Sequence, residues 1–373
     1  MKSFYKLLTK LDYGLLGALT AIIIMGLFVL DSAAASKGTN YVLRQSVFIL
    51  AGVIVILCSL RFDYTILKKY SKQLYVFSVL FLLAVRLFGV ERGGAKGWFF
   101  IGSFGLQPAE FCKILLIISY AQFLSSRREK LQTLQELLPC FFFMVVPVLL
   151  LMLQPDLGSA MVYIFVMVGM LFVAGANRKW LVGLFGGGTI ALVVYLLGVW
   201  KLNWWCPLKP YALNRFLVLF DSSIDPQGAG YNVWQSKIAI GNGGLWGEGL
   251  HMGSQSTGAF LPEQWTDFIF AVLAEELGFI GAGALLLLYA FLLFRGLRIS
   301  MLSKDLFGTL VAAGVVSMYL FHILENAGMT MGLMPVTGIP LPFVSYGGSA
   351  MVTNLFGIAL LQNIYVHRQR LIF

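Results

Sequence analysis

Three carboxylates, Asp267, Glu275 and Glu276, fall inside or at the edge of an apolar run that opens with LPEQWTDFIFAVLAEELG at residues 261–278. A charge in the hydrocarbon core costs at least about 2.5 kcal/mol unless it is paired or faces water, so such residues default to a functional reading. The pattern predicts a helix on which Glu263 and Asp267, four residues apart, share one face at the membrane boundary, with Asp267 one turn deeper. Asp267 is expected to do chemistry and the two glutamates to hold structure. An aspartate ordinarily titrates near 3.9, so useful base strength at neutral pH requires a desolvated site.

The other residues able to take part are Lys96, Trp98, Glu110, Lys113, Asp156, Arg215 and Glu263, all expected near one end of the apolar runs. Glu110 and Lys113 stand three apart on a predicted helix. They read either as a structural salt bridge or as a pair whose lysine lines a cavity and meets an anionic ligand. Asp156 in QPDLG reads as a helix N-cap. Arg215, in a long loop, is a solvated charge or a phosphate clamp. The stretch PVTGIPLPFVSYGGS at 335–349 holds three prolines and three glycines. Irregular backbone at membrane depth survives only where it is buried in protein or lines a wet cavity, so this segment is expected to help close one. GNGG at 241–244 is too short for a phosphate loop. His251, His322 and His367 form no metal spacing, and Cys58, Cys112, Cys140 and Cys206 form no disulfide framework.

The elements that must position these residues are membrane spans. With 59% hydrophobic and 12% charged residues in 373, the chain is an integral membrane protein and not a soluble domain. Its net charge of +10 could suggest nucleic acid, but the charges gather in short loops between apolar runs. Ten runs are long enough to cross a bilayer, at about 13–31, 42–60, 74–90, 106–124, 137–153, 157–175, 181–200, 267–295, 306–326 and 343–366. With a cytoplasmic N-terminus, the inner segments collect 17 of the 27 lysines and arginines, from Lys2, Lys6 and Lys10 through to Arg368 and Arg370. Both termini are therefore expected inside. The first run is long enough to remain as a span, and no cleavable signal is evident. Two outer segments stand out, a glycine-rich loop at 91–107 and an aromatic-rich loop at 201–264, expected to lie folded at headgroup depth. The fold class is an all-α polytopic membrane protein, residues 1–373 forming one domain.

Several stretches resemble one family. LPEQWTDFIFAVLAEELGFIG, PVTGIPLPFVSYGGS, QPDLGSA, and GGAKGW followed by QPAEFCK are similar in kind and order to the SEDS proteins (shape, elongation, division and sporulation) over essentially the whole chain. The 214–250 stretch and SQSTGAFLPE at 254–263 resemble the elongation branch more than the division branch. The resemblance implies a peptidoglycan glycosyltransferase that polymerises lipid II at the outer face of the bacterial cytoplasmic membrane. Asp267 falls on the family's catalytic aspartate, and Trp98, Glu110 and Lys113 on positions lining its cavity. Arg215 is a candidate for the pyrophosphate. A divalent cation, Mg or Mn, is an implied helper, although no dedicated metal cluster is visible. The implied partner is a class B penicillin-binding protein transpeptidase, beside other elongation-complex proteins, with the 181–200 and 267–295 runs, or the loop between them, as candidates for the contact. Three positions depart from the family pattern: Gly97 stands where an arginine usually precedes the tryptophan, Trp265 where a histidine is common, and Asn242 where a serine is frequent. Lys96 is the candidate replacement for that arginine, without its bidentate fork.

Two other readings use similar parts. A lipid II flippase needs ionisable residues recurring across the whole depth of the bilayer, whereas most here gather on the outer half. A non-catalytic scaffold that recruits a transpeptidase would not require a carboxylate at Asp267.

Overall fold

A computed structural model describes residues 7, 9–35, 40–92, 95–102, 104–206 and 210–368; Lys2, Lys6 and Arg370 of the charge argument lie outside them. Ten long helices are present among the described residues. They are α1 Tyr13–Ala34, α2 Tyr41–Ser59, α3 Ser71–Phe88, α4 Pro108–Ser125, α5 Leu134–Leu153, α6 Leu157–Val173, α7 Arg178–Leu202, α8 Ile269–Leu302, α9 Leu306–Thr330 and α10 Gly348–Val366. Eight are long and apolar enough to cross a membrane unaided. Of the other two, α6 is apolar but has only 17 residues, and α4 carries Glu110 and Lys113.

Local chemistry starts these helices where the sequence says they should start. Asp12, Asn40, Asp156 and Asp305 each accept a backbone N–H from the first turn they cap. Thr133 and Glu136 form a capping box on α5. Pro108 opens α4, where its missing N–H costs nothing. The centre of the molecule is α9 and α10, with 78% and 83% of their apolar windows buried, whereas α7 is only 11% buried and faces outward almost all round. α10 packs on α2, α9 on α6 and α8, and α8 on α1. The α7 segment also contains a π-helical turn, Val182–Gly186, ahead of Gly187 and Gly188.

The fold is not purely helical. The expected glycine-rich loop at 91–107 is a three-stranded antiparallel sheet, β1 Val90–Arg92, β2 Ala95–Ile101 and β3 Phe104–Leu106, in that spatial order. Register pairs Val90 with Trp98 and Phe99 with Leu106. The aromatic run in AKGWFFI suits a pleated surface. Strands of three residues between glycines are too short for alternation to reveal them in the sequence.

A second departure concerns α8. The 267–295 run is helical from Ile269, but its backbone breaks at Gly278, where φ is 65° and ψ −169°. The break is filled by the segment 243–249, part of the long loop. Glu248 and Gly249 donate to the carbonyls of Glu275 and Glu276 at 2.9 and 3.0 Å, and Phe279 and Ile280 donate to those of Gly244 and Leu245 at 2.9 and 3.2 Å. Backbone groups freed by the break are thus satisfied by an inserted loop, the condition for irregular backbone inside a membrane fold. Approach this close requires bare backbone: a Cβ on Gly243 would stand 2.0 Å from the Ala274 carbonyl oxygen. GNGG is therefore a docking strip for a broken helix. The rest of the 201–264 loop is helical at Pro210–Leu217, Ala229–Asn242 and Ser254–Thr257, with Trp204, Trp205, Trp234 and Trp246 exposed.

Candidate active site

Asp267 is not on the helix. Residues 262–268 form a turn that ends where α8 begins, and the Glu263 carbonyl accepts N–H bonds from Thr266, Asp267 and Phe268 at 3.1, 3.1 and 3.4 Å. Glu263 itself is exposed with φ of 49°, so the predicted shared helical face with Asp267 does not form. Pro262 and the polar run behind it let the chain turn before the apolar period begins.

The turn is held by long-range contacts at almost every residue. Gln264 Nε2 donates to the Ala33 carbonyl at 2.7 Å, Tyr346 N to that of Trp265 at 2.9 Å, and Ser345 Oγ to that of Thr266 at 2.6 Å. Asn326 Nδ2, from α9, donates at 2.8 Å to the carbonyl of Asp267 and at 2.8 Å to that of Ile339. Gly338, with φ of 72°, lies beside the carboxylate, such that a Cβ there would sit 3.0 Å from Asp267 Oδ2. The Pro- and Gly-rich stretch 335–349 therefore folds against the Asp267 turn. It also holds the helix of Arg215, whose carbonyl accepts from Val336 N at 3.3 Å. Arg215 is half-buried, and only Thr337 separates its partner Val336 from Gly338.

Glu110 and Lys113 form an ion pair of 2.6 Å, each residue 3% exposed. Lys113 Nζ also lies 3.1 Å from His322 Nε2 on α9. His322 is fully buried and did not emerge from metal spacing; its position inside a span, as an ionisable residue in lipid, was the signal that could have found it. Since Lys113 is the donor, the facing ring nitrogen presents its lone pair, which makes His322 a neutral acceptor. Four residues along α9 from His322 is Asn326. One helix thus contacts both Lys113 and the Asp267 turn from adjacent turns.

The sheet places the remaining candidates. The β1–β2 register pairs Val90 with Trp98 and Glu91 with Lys96, so Gly97 is the extra residue of a bulge in β2. Lys96 Nζ donates to the Leu87 carbonyl at 3.1 Å. The buried Gly97 instead faces Gln154, whose Oε1 would lie 3.9 Å from a Cβ at 97. Trp98 is half-buried beside Phe100. Asp156 is the N-cap its sequence suggests, accepting from Ser159 N at 3.0 Å. Glu275 is also structural, accepting from Gln255 N at 2.6 Å and Ser256 N at 3.1 Å, and Glu276 accepts from Ser32 Oγ and from His251 N. Both glutamates thereby tie the loop to the first piece of the broken helix.

All of this polar chemistry lies at one end of the bundle. Glu110 and Lys113 are in the first two turns of α4, Asp267 just precedes α8, and His322, Glu325 and Asn326 are in the last turns of α9, which runs the opposite way. Among the described residues no group of three His, Cys, Asp or Glu side chains could hold a metal ion. The class is defined at this point: a multi-pass α-helical membrane protein with a clamped aspartate and a buried lysine at one mouth of its bundle. The family follows directly. Residues 7–370 match the family described as "Cell cycle protein", that of FtsW, RodA and SpoVE, and the chain belongs to it.

Three relatives show how the likeness is spread. The chain is similar to stage V sporulation protein E of Bacillus subtilis (strain 168), 38% identical over 86% of this chain and 86% of that one. It is similar to the peptidoglycan glycosyltransferase MrdB of Escherichia coli (strain K12), 35% identical over 97% and 95%. Among solved structures it resembles one from work on the structural coordination of polymerization and crosslinking by a peptidoglycan synthase complex. That likeness has a TM-score of 0.80 and 32% identity over 96% of this chain and 99% of the other.

Proposed function

We propose that this protein is a peptidoglycan glycosyltransferase of cell-wall elongation that polymerises lipid II, with Asp267 as general base. The observation that carries the reading is the Asp267 turn, whose backbone carbonyls are taken up by α9 and the 335–349 loop so that the carboxylate is held at the bundle mouth. A general base must be fixed within hydrogen-bond reach of the proton it removes. Relatives named as peptidoglycan glycosyltransferases over nearly the full chain support the same chemistry.

In the proposed step the Asp267 carboxylate takes the proton of the acceptor's GlcNAc 4-hydroxyl. The hydroxyl oxygen forms a bond to C1 of the donor MurNAc from the face opposite the leaving group. The C1–O bond to undecaprenyl pyrophosphate breaks, its electron pair leaves with the pyrophosphate, and the anomeric centre inverts. Lys113 and Arg215 are the cations assigned to the pyrophosphate end, and Glu110 and Trp98 to the cavity wall. Lys96 and Glu263, both at the rim, are assigned to looser substrate contacts. A divalent cation, Mg or Mn, would screen the leaving group. With no set of three ligating side chains among the described residues, the protein's own contribution to that charge is Lys113 and Arg215.

The same reading puts the protein in the bacterial cytoplasmic membrane with both termini inside and the active site outward, in line with the lysine and arginine bias. A class B penicillin-binding protein is the proposed partner, and the synthase-complex likeness supports this. The buried Glu110–Lys113 pair, His322 and Glu325 lie toward the same end of the spans as Asp267, which favours chemistry at that face over a headgroup path through the bilayer. The test is polymerisation of lipid II by the purified protein with its transpeptidase, products separated on a gel. Glycan strands from wild type and none from Asp267→Asn are expected. Absence of strands from both, with the complex intact, would transfer the weight to transport or scaffolding.

A further inference from the structure

One buried carboxylate has no part in the proposed reaction or in the Lys113 pair. Glu325, on α9, is fully buried, and its Oε1 accepts the Thr337 hydroxyl at 2.7 Å. Thr337 belongs to the stretch that packs on Asp267, and the whole of that stretch is pinned. Val336 N donates to the Arg215 carbonyl at 3.3 Å, Thr337 is held by Glu325, and the Ile339 carbonyl is held by Asn326 at 2.8 Å. Between these anchors only Gly338 is left, in the left-handed region with φ of 72°, so close to Asp267 that a Cβ on it would stand 3.0 Å from Oδ2.

We infer that Glu325 is a positioning residue: through Thr337 it presses the Gly338 backbone against Asp267 and sets the direction of the reacting carboxylate. Two adjacent residues of one helix then hold Asp267 from two sides. Asn326 fixes its main chain, and Glu325 fixes the wall that its side chain rests on. The arrangement suits a residue standing in a turn, where no helix rotamer restricts it. Displacing a reacting group by about 1 Å costs on the order of a hundredfold in rate, so a wall of this kind has a measurable effect. The hydrogen bond requires an acceptor at 325, and a glutamine carbonyl supplies one as well as a carboxylate does.

This inference rests on Asp267 being the base, and the experiment separates the two ideas. Lipid II polymerisation is measured with the intact complex for wild type, Asp267→Asn, Thr337→Val, Glu325→Val, Glu325→Gln and the Glu325→Val/Thr337→Val double variant. Thr337→Val and Glu325→Val should each lower kcat by about tenfold with KM for lipid II near wild type, and Thr337→Val should also lower the thermal midpoint, since it leaves the buried Glu325 carboxylate without its hydrogen bond. Their double variant should be no worse than either alone, and Glu325→Gln should restore most of the rate. Wild-type kcat in Thr337→Val, with Asp267→Asn inactive, would overturn the positioning role and leave the base intact. Loss of activity in Glu325→Gln equal to that in Glu325→Val would also overturn it, since charge and not an acceptor would then be required. Activity retained in Asp267→Asn would remove the base assignment itself. Thr337→Val is nearly isosteric, so the idea remains open to refutation even if Glu325→Val fails to fold.

Discussion

Asn326 donates to the carbonyl oxygen of Asp267 at 2.8 Å across 59 residues of chain. Its amide is completely buried, and it bonds the 335–349 loop at the same time. This contact turns a flexible approach to a helix into a fixed platform for one carboxylate, because a buried donor left unpaired costs about 1–3 kcal/mol.

Asp267→Asn changes charge and not shape, and the clamp on its main chain does not involve the side chain. We expect the variant to keep its thermal midpoint and its transpeptidase binding while polymerisation falls by about 10²–10⁴-fold, the contribution typical of a general base. Single-turnover measurements on the reconstituted complex check this; normal glycan synthesis would remove Asp267 from the mechanism.

Lys113→Ala strands Glu110 in a buried position. Breaking a buried pair from one side costs roughly 3–5 kcal/mol, so a lower thermal midpoint is expected along with poorer use of limiting lipid II. Glu110→Gln/Lys113→Met, which removes both charges, should recover much of the stability without recovering donor use. A double variant with a wild-type rate would make the pair purely structural.

Gly243→Ala places a methyl group 2.0 Å from the Ala274 carbonyl oxygen, against backbone that cannot yield without opening the break in α8. Loss of folded protein is expected, or a marked fall in thermal midpoint, while Gly241→Ala, whose Cβ meets nothing within 4 Å, should be tolerated. Equal behaviour of the two variants in a detergent melting series would contradict the docking-strip account.

At the opposite end of the bundle, Asp63 pairs with Lys304 at 2.6 Å and Asp305 with Lys68 at 2.9 Å. Partial burial pushes the Asp63 carboxyl up, but the Lys304 hydrogen bond and those from Thr65 outweigh it and hold it at about 2. For Asp305, burial is likewise outweighed by Lys68, Tyr64 and the Gly308 N–H, and its pKa is lowered. A carboxyl with a depressed folded pKa contributes stability that is complete above its ordinary value, near 3.9, and is lost as pH falls through the folded one. The difference in thermal midpoint between wild type and Asp63→Asn should therefore be flat above about pH 4 and shrink toward pH 2. A difference that grows with acid would reverse the sign and refute the account.

Local chemistry wrote much of this protein openly. Ten apolar runs of bilayer length became ten helices because each must satisfy its own backbone in lipid, and period and length are both visible along a chain. Asp156 as a cap and Glu275 and Glu276 as structural follow from residue type and neighbours within a few positions. Tertiary structure alone decided the rest. Nothing near Asp267 in sequence announces Asn326, Gly338 or Thr337, since hydrogen bonds across 59 residues leave no periodic trace. His322 met Lys113 only because α4 and α9 cross at that depth, and the GNGG strip gained its purpose only when α8 broke at Gly278. The helical placement of Glu263 and Asp267 failed for the same reason: the polar stretch 262–267 precedes the apolar period and leaves its local conformation open, and the turn was set by partners on α9 and in the last loop, which take up its carbonyl groups.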